Sequence, residues 1–292
     1  MRRRFIRALS LGVTLTLLGT GACFAWQFRE WKSGIEWPMP PIVKPGDATT
    51  APDDAVVLFD GTDMSAWHGG DKWTIEDGYG IVGSGVRTKE KFGDCQLHLE
   101  FMSPPEVRGS GQGRGNSGIY FMGRYEMQIL DSYENETYYD GQMGAIYKQQ
   151  PPLVNACRPP GEWQTVDVIF TAPRFNEDGS VKSPAKITAL HNGVLIHNNY
   201  ELIGSTFFER PPEYSKHAPR ESLHLQYHND PVRFRNIWIR DLMPSEEETS
   251  DKAAHGDEQP SEKEATDAGD SEQDSSGDAE ETSDEASEEA SK

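Results

Sequence analysis

An all-β sandwich or barrel is the fold this sequence predicts, and three observations predict it. From Asp94 to Met102 the chain alternates strictly. Cys95, Leu97, Leu99 and Phe101 fall on one face, and Gln96, His98, Glu100 and Met102 on the other, the period-2 pattern of a half-buried strand. Asn192-Gly193 sits between two apolar runs and signals a type I′ hairpin, whose two central residues both need positive φ. No apolar pattern of three helical turns occurs before residue 244. Many short strands separated by turn signals fold as two packed sheets or a closed barrel, and roughly 190 residues suffice for a real core between two large sheets.

The elements follow in order. Candidate strands are Val56–Phe59, Trp73–Glu76, Asp94–Met102, Gly118–Met122, Arg124–Leu130, Trp163–Phe170, Lys186–His191, Val194–Asn198, Ser222–His228 and Val232–Leu242. Asp77-Gly78 and Asp178-Gly179 are further turn signals. In Arg124–Leu130, regular alternation puts Arg124, Glu126, Gln128 and Leu130 on one face and Tyr125, Met127 and Ile129 on the core face. In Ser222–His228 it groups His224, Gln226 and His228. In Val232–Leu242 it groups Arg233, Arg235, Ile237 and Ile239.

Both ends of the chain differ from this middle. Arg2, Arg3, Arg4 and Arg7 precede a short apolar run, Ala8 to Leu18, with small residues at Ala22 and Ala25. This reads as an export signal over residues 1–25, too short to be a membrane span. Arg2-Arg3-Arg4-Phe5-Ile6-Arg7 fits the twin-arginine pattern as well as an Arg-rich general secretory signal. Thr20-Gly21-Ala22-Cys23 lacks the leucine that opens a lipoprotein box. The expectation is an exported protein, periplasmic or at the cell surface. Residues 26–55 are rich in Trp and Pro and read as an extended arm, packed by its aromatics or serving as a linker.

The segment 244–292 carries 19 acidic residues against three lysines, and so accounts for 16 of the net 20 negative charges. It has no aromatic residue, cannot bury enough apolar surface to offset chain entropy, and is expected to be disordered. The acidic balance therefore describes a tail, not the folded domain over residues 56–243. Nucleic acid is excluded as a partner on this charge pattern. If Cys23 leaves with the signal, Cys95 and Cys157 remain, either paired in an oxidising compartment or as two free thiols. No cysteine–histidine cluster has structural-zinc spacing.

Candidate chemistry lies in polar strand faces. The Gly-rich run Arg108–Gly115 lacks the Gly-Lys-Ser/Thr of a phosphate loop and reads as a loop that can rim a cleft. Arg124, Glu126 and Gln128 form either a solvated surface or, on a concave face, a polar floor for a hydroxyl-rich ligand. His228 near a carboxylate is a natural acid–base group. No Gly-x-Ser-x-Gly elbow and no His-Glu-x-x-His motif is present. Glu126 and Asp131 are candidates for the two carboxyls of an ordinary glycosidase, a pairing that spacing alone does not support.

Several segments together resemble one family. Leu58-Phe59-Asp60-Gly61, Asn116-Ser117-Gly118-Ile119-Tyr120-Phe121 and Arg124–Ser132 are similar to its LFDG, NSGIYF and RYExQILDS motifs. Gly144–Tyr147, Gly161–Gln164, Ala172–Phe175, His191–Val194, Leu225–His228 and Val232–Trp238 follow in family order. Tyr227 departs, standing where a polar residue is expected. The resemblance, to the 3-keto-disaccharide hydrolase (3-keto-glucoside lyase/hydratase) family, covers about Val56 to Leu242.

It implies a concanavalin A-like jelly-roll β-sandwich of two antiparallel sheets that acts on 3-keto-glycosides. A C3 ketone acidifies the C2 proton, a base removes it, the C1 aglycone leaves by β-elimination, and water then adds. On this reading His228 and Glu126 are the catalytic pair. Asn116, Arg124, Gln128, Asp131, Tyr147, Gln226 and Arg235 bind or orient the sugar. A divalent metal ion, held by Glu126 and His228, is an optional source of enolate stabilisation. The same polar floor serves a lectin-like module that binds carbohydrate without cleaving it. A third reading is a surface or matrix component whose domain is a scaffold and whose acidic tail binds cations or partners.

Overall fold

The computed structural model describes residues 30–47 and 49–243. The expected export signal and acidic tail lie outside the described residues. Residues up to Val43 and those from Lys44 onward form two separate units. In the first, the described residues form neither helix nor strand.

The described residues of the second unit fold as β structure. In chain order its strands are β1 (Val56–Phe59), β2 (Trp67–His68), β3 (Thr74–Glu76), β4 (Tyr79–Ile81), β5 (Val86–Thr88), β6 (Cys95–Met102), β7 (Ser117–Phe121) and β8 (Tyr125–Ile129). After a long loop come β9 (Gln164–Thr171), β10 (Arg174–Phe175), β11 (Val181–Ser183), β12 (Lys186–His191), β13 (Val194–Glu201), β14 (His224–Leu225) and β15 (Arg233–Asp241). Helical structure among the described residues is confined to three 3₁₀ turns.

The strands make the expected jelly-roll β-sandwich of two antiparallel sheets. The larger sheet has eight strands, in the order β13-β12-β9-β6-β15-β4-β3, with β1 also paired to β15. The smaller has five, in the order β2-β5-β14-β7-β8. β10 and β11 form a separate ribbon.

Alternation explains which side chains fill the space between the sheets. Leu97, Leu99 and Phe101 of β6 and Val166, Val168 and Phe170 of β9 point inward from the larger sheet. Ile119 and Phe121 of β7 and Tyr125, Met127 and Ile129 of β8 meet them from the smaller one. Phe121 stacks on Phe170 with ring centroids 4.7 Å apart, joining the two layers. Each such fully buried side chain contributes about 1.5–3 kcal/mol relative to exposure. The Asn192-Gly193 hairpin forms as expected, with φ of 51° and 77° between β12 and β13.

β15 corrects the reading of Val232–Leu242. Arg235 opposes Glu100, and Trp238 opposes His98. Three steps along β15 thus match two along β6, a β-bulge with Asn236 at φ 46°. Arg233 and Arg235 therefore lie on the outer face, whereas Ile237 and Ile239 are fully buried. The bulge also divides the partners of β15: Arg233 and Phe234 pair with β4, and Ile237 to Ile239 with β1. Cys95, buried in β6, and Cys157 are both free thiols. No helix among the described residues is long and apolar enough to cross a membrane.

Candidate active site

The outer face of the smaller sheet carries the site. β7 and β8 pair so that Tyr120 opposes Glu126 and Gly118 opposes Gln128. The core takes Ile119, Met127 and Ile129, so alternation turns Gly118, Tyr120, Glu126 and Gln128 the other way. Loops then wall this face in. A cavity of about 450 Å³ results, floored by Tyr120, Glu126 and Gln128 and bounded by Asn116, Gln226 and His228. Tyr138, Tyr147 and the loop Thr206–Phe208 form its remaining sides.

Gly118 makes room for the carboxylate. A Cβ there would lie 2.6 Å from Glu126 Oε1 and 3.2 Å from the Tyr120 ring. Only glycine leaves Glu126 its position, which gives the Asn116-Ser117-Gly118 segment a physical role. The rest of that segment braces the floor. Ser117 Oγ donates to the Gln226 carbonyl at 2.6 Å, tying β7 to the chain after β14. Gln128 Nε2 donates to Asn116 Oδ1 at 2.9 Å and to the carbonyls of Ser117 and Ile129. Its amide hydrogens are thereby used internally, and the group Gln128 offers the cavity is its carbonyl oxygen, an acceptor for a hydroxyl.

Glu126 is 3 % exposed. Burial pushes its carboxyl up to about 7, opposed by a hydrogen bond from the Tyr120 hydroxyl. The Tyr120 hydroxyl is in turn raised well above its ordinary range, by burial first and by the nearby Glu126 charge second. Gln226 Nε2 donates to the Tyr120 oxygen at 3.2 Å, completing a chain from Gln226 through Tyr120 to Glu126. The Glu126 backbone N–H donates to Thr206 Oγ1 at 3.0 Å, anchoring the Thr206–Phe208 wall. Opposite stands a tyrosine pair, Tyr138 and Tyr147, with hydroxyls 2.7 Å apart. The Lys148 ammonium lies 3.5 Å from the Tyr138 ring centroid and holds that ring by a cation–π contact.

A carboxyl that titrates near neutrality, in a cleft lined by hydroxyls, amides and aromatic rings, is equipped to take up and return one proton on a polar substrate. His228, exposed in the loop after β14, brings an imidazole to the same cavity. Among the described residues no group of three or more His, Cys, Asp or Glu is placed to hold a metal ion. Glu126 and His228 are the two cavity groups with the chemistry to ligate one.

Of the nine expected site residues, six line the cavity: Glu126, His228, Asn116, Gln128, Tyr147 and Gln226. Three do not. Arg124 falls in the turn between β7 and β8, where Met122 and Gly123 have φ of 54° and 63°, so the alternation of β8 does not extend to it. Its charge acts instead on Tyr125 and His217. Asp131 lies beyond the end of β8 in a 2.6 Å ion pair with Arg114, which rules out the pairing with Glu126. Arg235 belongs to the other sheet, where it bonds Glu100 at 2.7 Å and covers the Trp163 ring.

Gln112, from the Gly-rich loop expected to rim a cleft, also lines the cavity, whereas sequence reasoning missed Tyr120, Tyr138 and Thr206–Phe208. Tyr120 was available, since it shares parity with Gly118 on β7. The others come from loops without periodicity.

A family model described as a 3-keto-alpha-glucoside-1,2-lyase-like domain matches residues 54–240. The crystal structure of a candidate glycosyl hydrolase from Parabacteroides distasonis is 45% identical, with a TM-score of 0.69, covering 72% of this chain and 95% of that one. A second candidate glycosyl hydrolase from the same organism is 18% identical, with a TM-score of 0.48 over 65% of this chain and 94% of its own. No curated protein matches the chain.

Proposed function

The chain belongs to the 3-keto-alpha-glucoside-1,2-lyase-like domain family, and we propose that it is an exported enzyme that cleaves 3-keto-glycosides by elimination followed by hydration. The observation that carries this reading is Glu126, a buried carboxyl held near neutrality on the floor of a polar, aromatic-walled cavity. The 45% identical candidate glycosyl hydrolase supports action on a glycoside, and the Arg-rich, then apolar, N-terminus supports export.

The steps follow from the substrate. The carbonyl at C3 makes the C2 proton acidic. Glu126, ionised, takes that proton, and the C2–H electrons form the enolate. The enolate collapses to a C1–C2 double bond as the C1–oxygen bond breaks, and His228 protonates the departing aglycone oxygen. Water then adds to C1, giving up a proton to the now neutral His228, while Glu126 returns its proton to C2, so both groups are restored and the net reaction is hydrolysis. Gln128 and Asn116 accept and position hydroxyls, and the Tyr138–Tyr147 pair closes the side of the ring. Tyr120 keeps the Glu126 proton exchangeable, because its hydrogen bond favours the ionised form that burial disfavours.

The test is direct. Purified protein incubated with a 3-keto-glucoside should release its aglycone, with the 2-hydroxy-glucal as an intermediate. The parent glucoside, lacking the ketone, should not react. Tight binding of the sugar with no release would replace this reading by that of a carbohydrate-binding module.

A further inference from the structure

The cavity does not end at Tyr120. Pairing across the smaller sheet sets His68 opposite Arg87, Arg87 opposite His224, His224 opposite Tyr120, and Tyr120 opposite Glu126. One unbroken row of side chains thus crosses all five strands on the outer face. Its far half lines a second, more open trough of about 580 Å³, which shares Tyr120 and Gln226 with the cavity over Glu126. Arg87 and Glu126 stand three strand spacings apart, roughly 14 Å at the backbone. That span suits one sugar ring over Glu126 and its glycosidic substituent in the trough.

The trough has a distinct chemistry. Arg87 is exposed and, among the described residues, makes no salt bridge or side-chain hydrogen bond. His68 and His224 flank it. The acidic group in the row is Glu126, on the far side of Tyr120; outside the row, Glu221, whose charge is felt at His224, pairs with Lys91. Tyr227 lines the same trough with its ring 39 % exposed, an apolar face against which a second ring can lie. An unpaired guanidinium beside two imidazoles, open to solvent and next to a proton-transfer site, is a receptor for an oxyanion.

We propose that this trough is the aglycone subsite and that Arg87 selects aglycones bearing a carboxylate, such as a uronic acid or an aromatic acid. The proposal deepens the reading of the protein as a 3-keto-glycoside-cleaving enzyme and rests on it. The sugar that is opened sits over Glu126, its C1 oxygen lies near Tyr120, and the leaving group extends along the row toward Arg87. Arg87 acts on binding and orientation and takes no part in proton transfer.

The experiment compares the 3-keto-glucosides of phenol and of 4-hydroxybenzoate, the second differing by one carboxylate. The full chain should favour the carboxylate substrate in kcat/KM by roughly tenfold or more, the size of one charge-assisted hydrogen bond. In Arg87→Gln the ratio should fall to near one, mainly through KM, and Arg87→Lys should restore part of it. Equal rates for the two substrates in the unaltered protein, or a ratio that survives Arg87→Gln, would overturn the proposal. If neither substrate is cleaved, the reading of the reaction fails separately. Calorimetry with glucuronate and glucose then decides the subsite: glucuronate binding lost in Arg87→Gln supports it, and no difference between the two sugars overturns it.

Discussion

Gly118 and Glu126 are fitted to one another: the space a Gly118 side chain would fill is taken by Glu126 Oε1, 2.6 Å from where a Cβ would stand. Gly118→Ala must therefore displace the carboxylate, and it also crowds the Tyr120 ring, 3.2 Å away. We expect turnover of a 3-keto-glucoside to fall at least tenfold and stability to fall by about 1–3 kcal/mol, the usual cost of overpacking. Steady-state kinetics and thermal melting read both. Unchanged kcat in Gly118→Ala would show that the position of Glu126 is not critical.

Glu126→Gln keeps the size of the side chain and removes its proton chemistry. Turnover should fall by roughly 10²–10⁴-fold, as for other general acid–base groups. Stability should move the other way. The folded carboxyl is raised from 4.5 to about 7 by burial, so the folded state holds a proton that the unfolded chain releases in that window. This group's contribution is complete below 4.5 and is lost as pH rises through about 7. The Gln variant should thus be more stable than the parent above neutrality, by on the order of 1–3 kcal/mol. Denaturant titrations at acid and alkaline pH check the crossing.

Tyr120 sets where activity begins on the pH scale. The acidic limb of kcat/KM should lie near 7, where Glu126 ionises. Removing the Tyr120 hydroxyl leaves burial unopposed, so Tyr120→Phe should shift the limb to higher pH. A pH profile that stays in place would mean that the titrating group is not Glu126.

Arg235→Gln separates the two sheets. Arg235 meets Glu100 and Trp163 on the larger sheet and does not line the cavity. Turnover should stay within about twofold of the parent, while stability falls by on the order of 1 kcal/mol, a modest loss because the guanidinium is 40 % exposed. Loss of turnover at unchanged stability would return Arg235 to the substrate.

The legibility of the sequence followed the regularity of its strands. The alternation of β6, the Asn192-Gly193 hairpin and the shared face of Glu126 and Gln128 were all readable, because a two-sided strand with one buried face has a fixed parity. Arg124 was misplaced by one residue's difference in where β8 begins, since nothing in Met122-Gly123 marked a turn with two positive φ values. Asp131 had the chemistry of a catalytic partner but is paired with Arg114, brought in from a loop. Tyr138 and Phe207 were illegible for a different reason. They reach the cavity through long connections whose course depends on contacts such as Lys148 on Tyr138 and the Glu126 backbone on Thr206. Neighbours of that kind leave no periodic trace.

The bulge in β15 has a bearing on which insertions and deletions this fold can accept. Phe234 and Ile237 both face the core with two residues, Arg235 and Asn236, between them. Deleting Asn236 would leave strict alternation, with Phe234, Ile237 and Ile239 still facing inward. Core composition alone would rate such a deletion harmless. Yet β15 would straighten, and one flank of it must serve β4 near its start and β1 further along. A shortened chain could keep its hydrophobic pattern and still be unable to seat both neighbours. Asn236 is thus a spacer whose length, more than its side chain, lets one strand hold two edges.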